Sequence, residues 1–512
     1  MKPKCFAFEY QPEKEKEAPI FQWSQTLMNL VEKFPAECDL NVDPYAPLAS
    51  FHETAMRRAL ANIKPGIMVE VEVIGSSKTD GVDTSVRTMW VAQVKHMAGY
   101  YLFCHWLGAP ESDPGFWVHA ASASVHPVGH TKKFNTQGYV LCPPRDFLQV
   151  RSVDEWSKLL AYELPKQMTL SDAFDTAKET MYKCKFTLGD RLEMIHDEIS
   201  TCVIPAIVMK TCGRRVMLKI SKADVDKAHY YNKEMWRDQA DCFLYYVGFA
   251  ARNKLDIKAN AKYNEHAQRI ADAIEKGQEP PYTKKDVSRE KIAEWKANPN
   301  VTTARWKVDM TLEIIDKLDT MLNGLKPARV LQVLKDGYLR LGPEGQDIEE
   351  DSFTIHQSSP TLFPVGYADA HGIQLYKPKR SSSPVFSPRL SITDDDDFSW
   401  KSHMKKNGYQ VAPSELFMEY TSSKTPFKTG MKMEAVDQVE KLFCPVTIKG
   451  LKGRLVHIGF DGWEHTYDQL YDYRSNELFP IGWVEMHGLP LQNPQQAIES
   501  EEEQPKKKKS KK

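Results

Sequence analysis

The chain has 512 residues, too many for one hydrophobic core and enough for three to five domains at roughly 100–200 residues each. Its net charge of −1 argues against a broad basic face for nucleic acid, and its nine cysteines include no CxxC pair, so no zinc ribbon or finger is expected. The opening MKPKCFAFEYQPEKEKEAP is too polar for a secretory signal, and no apolar run approaches the roughly 20 residues that span a bilayer, which gives the expectation of a soluble intracellular chain with reduced thiols.

The first predicted element is FQWSQTLMNLVEKF at 21–34, whose apolar residues fall at helical spacing. GIMVEVEV from Gly66 and WVAQV at 90–94 follow as strands rich in β-branched and aromatic residues. HPVGH at 126–130 and GYVLCPP at 138–144 close the unit. The order then recurs. VDEWSKLLAYEL at 153–164 is a second helix, GDRLEMIH from Gly189 and CVIPAIVM at 202–209 are strands, and YYVGF stands at 245–249. A third pass gives DMTLEIID from Asp309, FPVGY at 363–367 and HGIQLYKP at 371–378. A fourth gives GMKMEAVD from Gly430, RLVHIGF at 454–460, FPIGW at 479–483 and HGLPLQNP at 487–494.

Gly129, Gly248, Gly366 and Gly482 lie 119, 118 and 116 residues apart, and Glu70, Glu193, Glu313 and Glu434 lie 123, 120 and 121 apart. Two independent marks with one period define four copies of one unit, each an arm followed by a small β core. Because the glutamate recurs in every copy, it belongs to the framework, as a hydrogen-bonding group of the core. The expected boundaries are 20–145, 146–258, 259–379 and 398–495. Between the third and fourth, RSSSPVFSPRLSITDDDD at 380–397 reads as a flexible linker, and 496–512 as a disordered tail ending in PKKKKSKK.

These marks resemble the malignant brain tumour (MBT) repeat family, whose repeats carry a GMKLEAVD-like strand, an FDGW-containing strand and loop, and an HPVGW–G–PL–PP ending. The fourth copy matches most closely, through GMKMEAVD at 430–437, GFDGWEHTYD at 459–468 and FPIGW…HGLPLQNP at 479–494. The resemblance spans about residues 20 to 495 and looks like the four-repeat group of chromatin proteins. It implies a mainly β fold with α-helical arms: four tandem MBT repeats, each a small Tudor-like β-barrel core plus an extended or helical arm that packs on a neighbouring repeat.

Family members hold mono- and dimethyllysine in a pocket of one Asp and three aromatics. Carried over by resemblance, these fall on Asp437, Phe460, Trp463 and Tyr467, all of the expected type. Repeat 1 has Val73 in the Asp position and WLGAPESDPGFW at 106–117 in place of the aromatic loop; repeat 2 has His196 and ISKADVD at 220–226. Repeat 3 keeps Asp316, expected as a solvated or turn-forming acid, but LGPEGQD at 341–347 offers no aromatic. One reader and three structural repeats are therefore expected. The residue types suit an alkylated ammonium: aromatic faces attract the charge and bury its methyl groups, worth ~0.5–2 kcal/mol per contact. A carboxylate accepts the N–H that mono- and dimethylammonium retain and trimethylammonium lacks.

The resemblance implies a nuclear protein that binds methylated histone tails, with chromatin or repressor-complex proteins as partners and transcriptional repression as outcome. No catalysis, cofactor, metal or membrane contact is called for, and P-loop, GxSxG and HExxH motifs are missing from the sequence. The lysine-rich tail reads as a nuclear localisation signal, with weak nucleic-acid contact as a further role. The alternative reading is a multi-repeat protein-interaction scaffold without methyl-lysine dependence.

Overall fold

The computed structural model describes residues 4–6, 21–29, 43–52, 54–73, 86–171, 173–179, 184–196, 199–227, 234–296, 305–345, 348–376, 399–417 and 425–494; the expected linker at 380–397 and tail at 496–512 lie outside them. Four sheets are built on one plan. In each, the strand carrying the framework glutamate (Met68–Glu72, Arg191–Ile195, Met310–Ile314 or Lys432–Val436) lies between two antiparallel neighbours. One neighbour is long: Arg87–Ala98, Cys202–Cys212, Lys326–Val333 or Phe443–Lys452. The other is the short run before the turn glycine: Val125–Pro127, Leu244–Tyr245, Leu362–Phe363 or Leu478–Phe479.

Beyond the long strand the sheet continues as a meander, and the hairpin it forms shifts register once in every copy. The shifts fall at Val94/His96, Met217/Leu218, Val330/Gln332 and Ile448/Gly450. An extra residue on one strand bends and twists the ladder, which turns each sheet's apolar face inward. In repeat 4 that face buries Met433, Ala435, Val446, Ile448, Val456 and Ile458. The strands expected at 90–94, 202–209 and 454–460 lie within Arg87–Ala98, Cys202–Cys212 and Leu455–Phe460, apart from Arg454 at the turn. The helix expected at 153–164 is Val153–Glu163, started by a capping box in which Ser152 and Glu155 satisfy each other's backbone N–H. Of the helix expected at 21–34, Trp23–Met28 is described.

All four framework glutamates are buried, and each does the same thing. Its two carboxylate oxygens accept the backbone N–H of the turn glycine and of the residue two further on. Glu70 takes Gly129 and Thr131, and Glu193 takes Gly248 and Ala250. Glu313 takes Gly366 and Ala368, and Glu434 takes Gly482 and Val484, all at 2.6–2.8 Å. The carboxylate thus satisfies N–H groups that a short helix leaves unpaired at its start. The turn needs glycine. Gly482 has φ +86°, and a Cβ there would meet Nε2 of His119 in repeat 1 at 2.8 Å. Burial pushes Glu193 up to about 7 and Glu434 up to about 8, in opposition to the N–H donors that hold them down.

A third donor comes from an arm. Tyr263, on the arm of repeat 3, donates its hydroxyl to Glu193 at 3.1 Å, and Trp400, on the arm of repeat 4, donates its indole N–H to Glu313 at 2.9 Å. Trp23, on the arm of repeat 1, donates to Glu434 at 2.8 Å across 411 residues. Backbone pairing follows the same rule. Thr169, Asp286 and Gln410 each pair in parallel with the glutamate strand of the preceding repeat, and Tyr45 pairs with Lys432 of repeat 4. Each arm therefore docks on the repeat before it, and the first arm docks on the last repeat, closing the array into a ring. One apolar cluster accordingly joins Trp23 and Tyr101 to Phe443 and Trp483, and another joins repeats 2 and 3.

Trp23→Phe keeps an aromatic ring but removes the donor to Glu434. It should lower stability to urea unfolding by about 1–3 kcal/mol, the cost of a buried acceptor losing a partner. A loss near zero would show that the arm of repeat 1 is held by packing alone.

Candidate functional site

Asp437 ends the strand Lys432–Val436 and begins the turn to Phe443. The turn is tight: Asp437 N–H donates to Leu442 O at 2.8 Å, and Lys441 N–H donates back to Asp437 O at 2.8 Å. Oδ1 of Asp437 accepts from the Val439 N–H at 2.8 Å, the Glu440 N–H at 3.3 Å and the Gln469 side-chain amide at 2.8 Å. Oδ1 thus fixes the side chain, and among the described residues no donor reaches Oδ2. Gln469 is itself fixed, since its Oε1 accepts from the Gln438 N–H at 3.0 Å and the Tyr471 hydroxyl at 2.7 Å.

Phe460 ends the strand Leu455–Phe460 and is buried among Met433, Val446 and Ile458. The chain then turns through the FDGW sequence. Asp461 anchors the turn, accepting from Lys432 Nζ at 2.7 Å and the Thr447 hydroxyl at 2.6 Å. Gly462 follows with φ +87°, where a Cβ would meet the Pro494 carbonyl oxygen at 2.5 Å. Trp463 packs half-buried on the same apolar cluster as Phe460. A short 3-10 turn, His465–Tyr467, then places the Tyr467 ring edge-to-face with Trp463, centroids 5.3 Å apart and planes at 72°. Tyr467 is 48% exposed. The loop's far end is tied by His457 Nε2 to Asp468 at 3.0 Å. The structure thus brings the three aromatics onto one strand-and-loop unit. Asp437 is linked to that unit through Gln469, two residues past Tyr467.

The corresponding positions elsewhere are committed to packing. Val73 packs with Trp90, Phe147 and Trp156, and Trp106 stacks on Phe116 at 4.2 Å. His196 is buried, its Nδ1 accepting from the Ile199 N–H, and the 220–226 segment supplies Asp224 to Arg191 at 2.9 Å. Asp316 takes the second of its two expected roles. It does form the turn, accepting from the Leu318 N–H at 3.1 Å, but it is buried rather than solvated and pairs with Lys326 Nζ at 2.9 Å. Lys326, ten positions on and across the hairpin, is shared between Asp316 and Asp319.

A cavity of about 280 Å³ lies away from these residues, where loops of the four repeats meet, lined in part by Asp241, Lys317, Arg474 and Glu477. Lys317 and Glu477 pair across it at 3.4 Å, so its charges already answer one another. Sequence reasoning missed Gln469, Asp461 and Thr447, the residues that hold Asp437 and the loop in place. Only the Asp of FDGW was visible, as part of a motif.

The MBT repeat family model matches residues 81–148, 190–264, 310–382 and 431–498, more than half of the chain. Protein lin-61 of Caenorhabditis elegans is 31% identical over 469 residues, which cover 88% of this chain and 73% of lin-61. Malignant brain tumor repeat protein 1 of the same organism is 26% identical over 475 residues, covering 85% of this chain and 80% of its own. The crystal structure of the four MBT repeats of Drosophila melanogaster Sfmbt, in complex with peptide RHR (me)K VLR, has the same fold, with a TM-score of 0.72 at 24% identity over 92% of this chain and 98% of that chain.

Gly462→Ala tests the loop geometry. The left-handed φ alone costs about 1–2 kcal/mol in a residue with a Cβ, and the Pro494 contact adds to it. Amide hydrogen exchange at Trp463 and Tyr467 should quicken while the strand Lys432–Val436 stays protected; unchanged exchange would mean that the loop does not depend on this turn.

Proposed function

The chain belongs to the MBT repeat family, and from that premise we propose that it is a non-catalytic, chromatin-associated reader whose repeat 4 holds mono- or dimethyllysine of a histone tail on Asp437, Phe460, Trp463 and Tyr467. One observation carries the reading. Of the four acid positions, only that of repeat 4 combines a carboxylate with an uncommitted oxygen and a neighbouring loop that presents two perpendicular aromatic rings.

The chemistry follows from the groups. Trp463 and Tyr467 offer faces to a cation, and Phe460 offers an apolar floor for its methyl groups. Oδ2 of Asp437 accepts the ammonium N–H, which a trimethylated lysine cannot donate. An unmethylated ammonium is more strongly hydrated and loses more on entering. The peptide in the Sfmbt crystal carries a methylated lysine, which supports the ligand class for this chain. Nuclear location and a repressive role follow from the same reading, with repressor-complex proteins as partners. No helix among the described residues is long and apolar enough to cross a membrane.

Asp437→Asn should weaken mono- and dimethylated peptides about ten- to a hundred-fold, the loss of one charge-assisted hydrogen bond of roughly 1.5–3 kcal/mol. Trp463→Ala should weaken them at least as much. Asp316→Asn should leave affinity unchanged while lowering stability, because it breaks the Lys326 pair. Calorimetric titration of the full chain with un-, mono-, di- and trimethylated lysine peptides measures all three; a binding loss in Asp316→Asn equal to that in Asp437→Asn would remove repeat 4 from its special position. Deletion of 505–512 should shift a fluorescently tagged chain out of the nucleus, and unchanged nuclear accumulation would deny the tail its signal role.

A further inference from the structure

The residues that flank the turn glycine form a pair of packed rings in every repeat. Repeat 2 stacks Tyr245 on Phe249 at 4.4 Å, repeat 3 places Phe363 against Tyr367 at 4.7 Å, and repeat 4 stacks Phe479 on Trp483 at 4.0 Å. Another repeat's hairpin covers each of these pairs. Tyr338 lies on the first, Arg454 on the second, and the turn at Gly213 on Trp483. Repeat 1 keeps the stack but makes both rings imidazoles: His126 and His130, centroids 3.5 Å apart. What faces them is a carboxylate, Asp175, on the helix Ala173–Glu179 in the arm of repeat 2.

The hydrogen bonding of His126 fixes its electronic state. Its Nε2 lies 2.8 Å from the carbonyl oxygen of Ala123, which can only accept, so Nε2 carries the hydrogen. In the neutral ring Nδ1 then bears a lone pair, and it points at Asp175 Oδ1 from 3.0 Å. Two acceptors at that distance repel unless a cation lies between them. His130 presents its own Nδ1 to Asp175 Oδ2 at 3.4 Å. A proton on one ring pairs that ring with the carboxylate but leaves the other Nδ1 facing an oxygen, and a proton on each ring would set two like charges in stacking contact. One dication shared by both nitrogens and the carboxylate satisfies all three.

We propose that repeat 1 binds a divalent transition-metal ion of the zinc type through Nδ1 of His126, Nδ1 of His130 and the carboxylate of Asp175. The three ligand atoms all lie within 4.8 Å of one another. Two ligands on a tetrahedral zinc, at about 2.0–2.1 Å each, stand roughly 3.3 Å apart, which matches the nitrogen–oxygen separations. The Ala123 carbonyl is the kind of acceptor that orients metal-bound histidines through their other nitrogen. Three protein ligands of N and O type suit zinc and leave one coordination position over. Lys178 is the competing cation, 3.5 Å from Asp175 Oδ1, but its ammonium also donates to the carbonyls of Ser122 and Val125.

Among the described residues, the site sits where no arm supplies the third donor to the framework glutamate. Glu193, Glu313 and Glu434 each receive a donor from a docking arm, whereas the third donor to Glu70 is the hydroxyl of Thr131, from repeat 1 itself. A metal held by two histidines of repeat 1 and one aspartate of the arm of repeat 2 joins that arm to its neighbour, as the arm donors do at the other three glutamates.

The test uses the full chain, stripped with EDTA and titrated with ZnCl2 by calorimetry. Wild type should take up one Zn2+ at this site and melt at a higher temperature when loaded. The double variant His126→Phe, His130→Tyr gives repeat 1 the FPVGY sequence of repeat 3, so it keeps a packed ring pair and the fold, which circular dichroism verifies. It should lose both the uptake and the thermal shift, and Asp175→Asn should weaken uptake at least about tenfold. Failure of wild type to bind zinc, or undiminished uptake by the folded double variant, overturns the proposal. So does a stripped wild type that is stabilised by mild acid and ignores zinc, because a proton then occupies the place assigned to the metal.

Discussion

A carboxylate buried in an apolar core is costly unless its lone pairs are filled, and this protein builds each of its four repeats around one that is. Glu70, Glu193, Glu313 and Glu434 each clamp the start of the helix that follows a turn glycine, and three of them also receive a side chain from a neighbouring arm. The clamp therefore does two jobs. It shapes the turn within a repeat, and it ties repeats together. Because the arm of repeat 1 reaches Glu434, the linear array becomes a ring, and the end repeats need no capping units of the kind that open solenoids require.

Fixing the framework in this way leaves the cage positions free to diverge. Three repeats have turned them to structural ends: an apolar cluster around Val73, a buried His196 and an Asp316–Lys326 pair. Repeat 4 has kept the acid partly uncommitted and the aromatics on an anchored loop. Gln469 marks the difference, since it holds Asp437 without neutralising it, whereas Lys326 pairs with Asp316. The same carboxylate at the same strand end thus keeps one oxygen without a described hydrogen-bond donor in one repeat and is half of an ion pair in another.

Much of this was legible in the sequence. Two marks with one period gave the four copies and singled out the glutamates, and the FDGW run located the loop. The strands at 90–94, 202–209 and 454–460 and the helical stretch at 153–164 followed from residue type and spacing. What was hidden depends on contacts between distant residues. Nothing near Trp23 announces Glu434, and Gln469 looks like any polar residue of a short strand until its burial beside Asp437 is seen. The helix Ala261–Glu275, capped by Asn260, was not singled out, although Tyr263, Ala267, Ile270 and Ala271 fall at helical spacing. Asp316 was expected to be solvated or turn-forming, and it forms the turn; its ion-pair partner was hidden because strand pairing, which local composition does not reveal, sets it.

The central claim, one ligand site on four equivalent frameworks, is tested most directly by nuclear magnetic resonance of the tryptophan indole N–H groups during titration with a dimethyllysine peptide. Their signals report from every repeat, with Trp90 in repeat 1, Trp236 in repeat 2, Trp306 in the arm of repeat 3 and Trp463 in repeat 4. The account predicts a saturable shift of Trp463 while Trp90, Trp236 and Trp306 stay in place. A saturable shift at any of those three with Trp463 unmoved would contradict it.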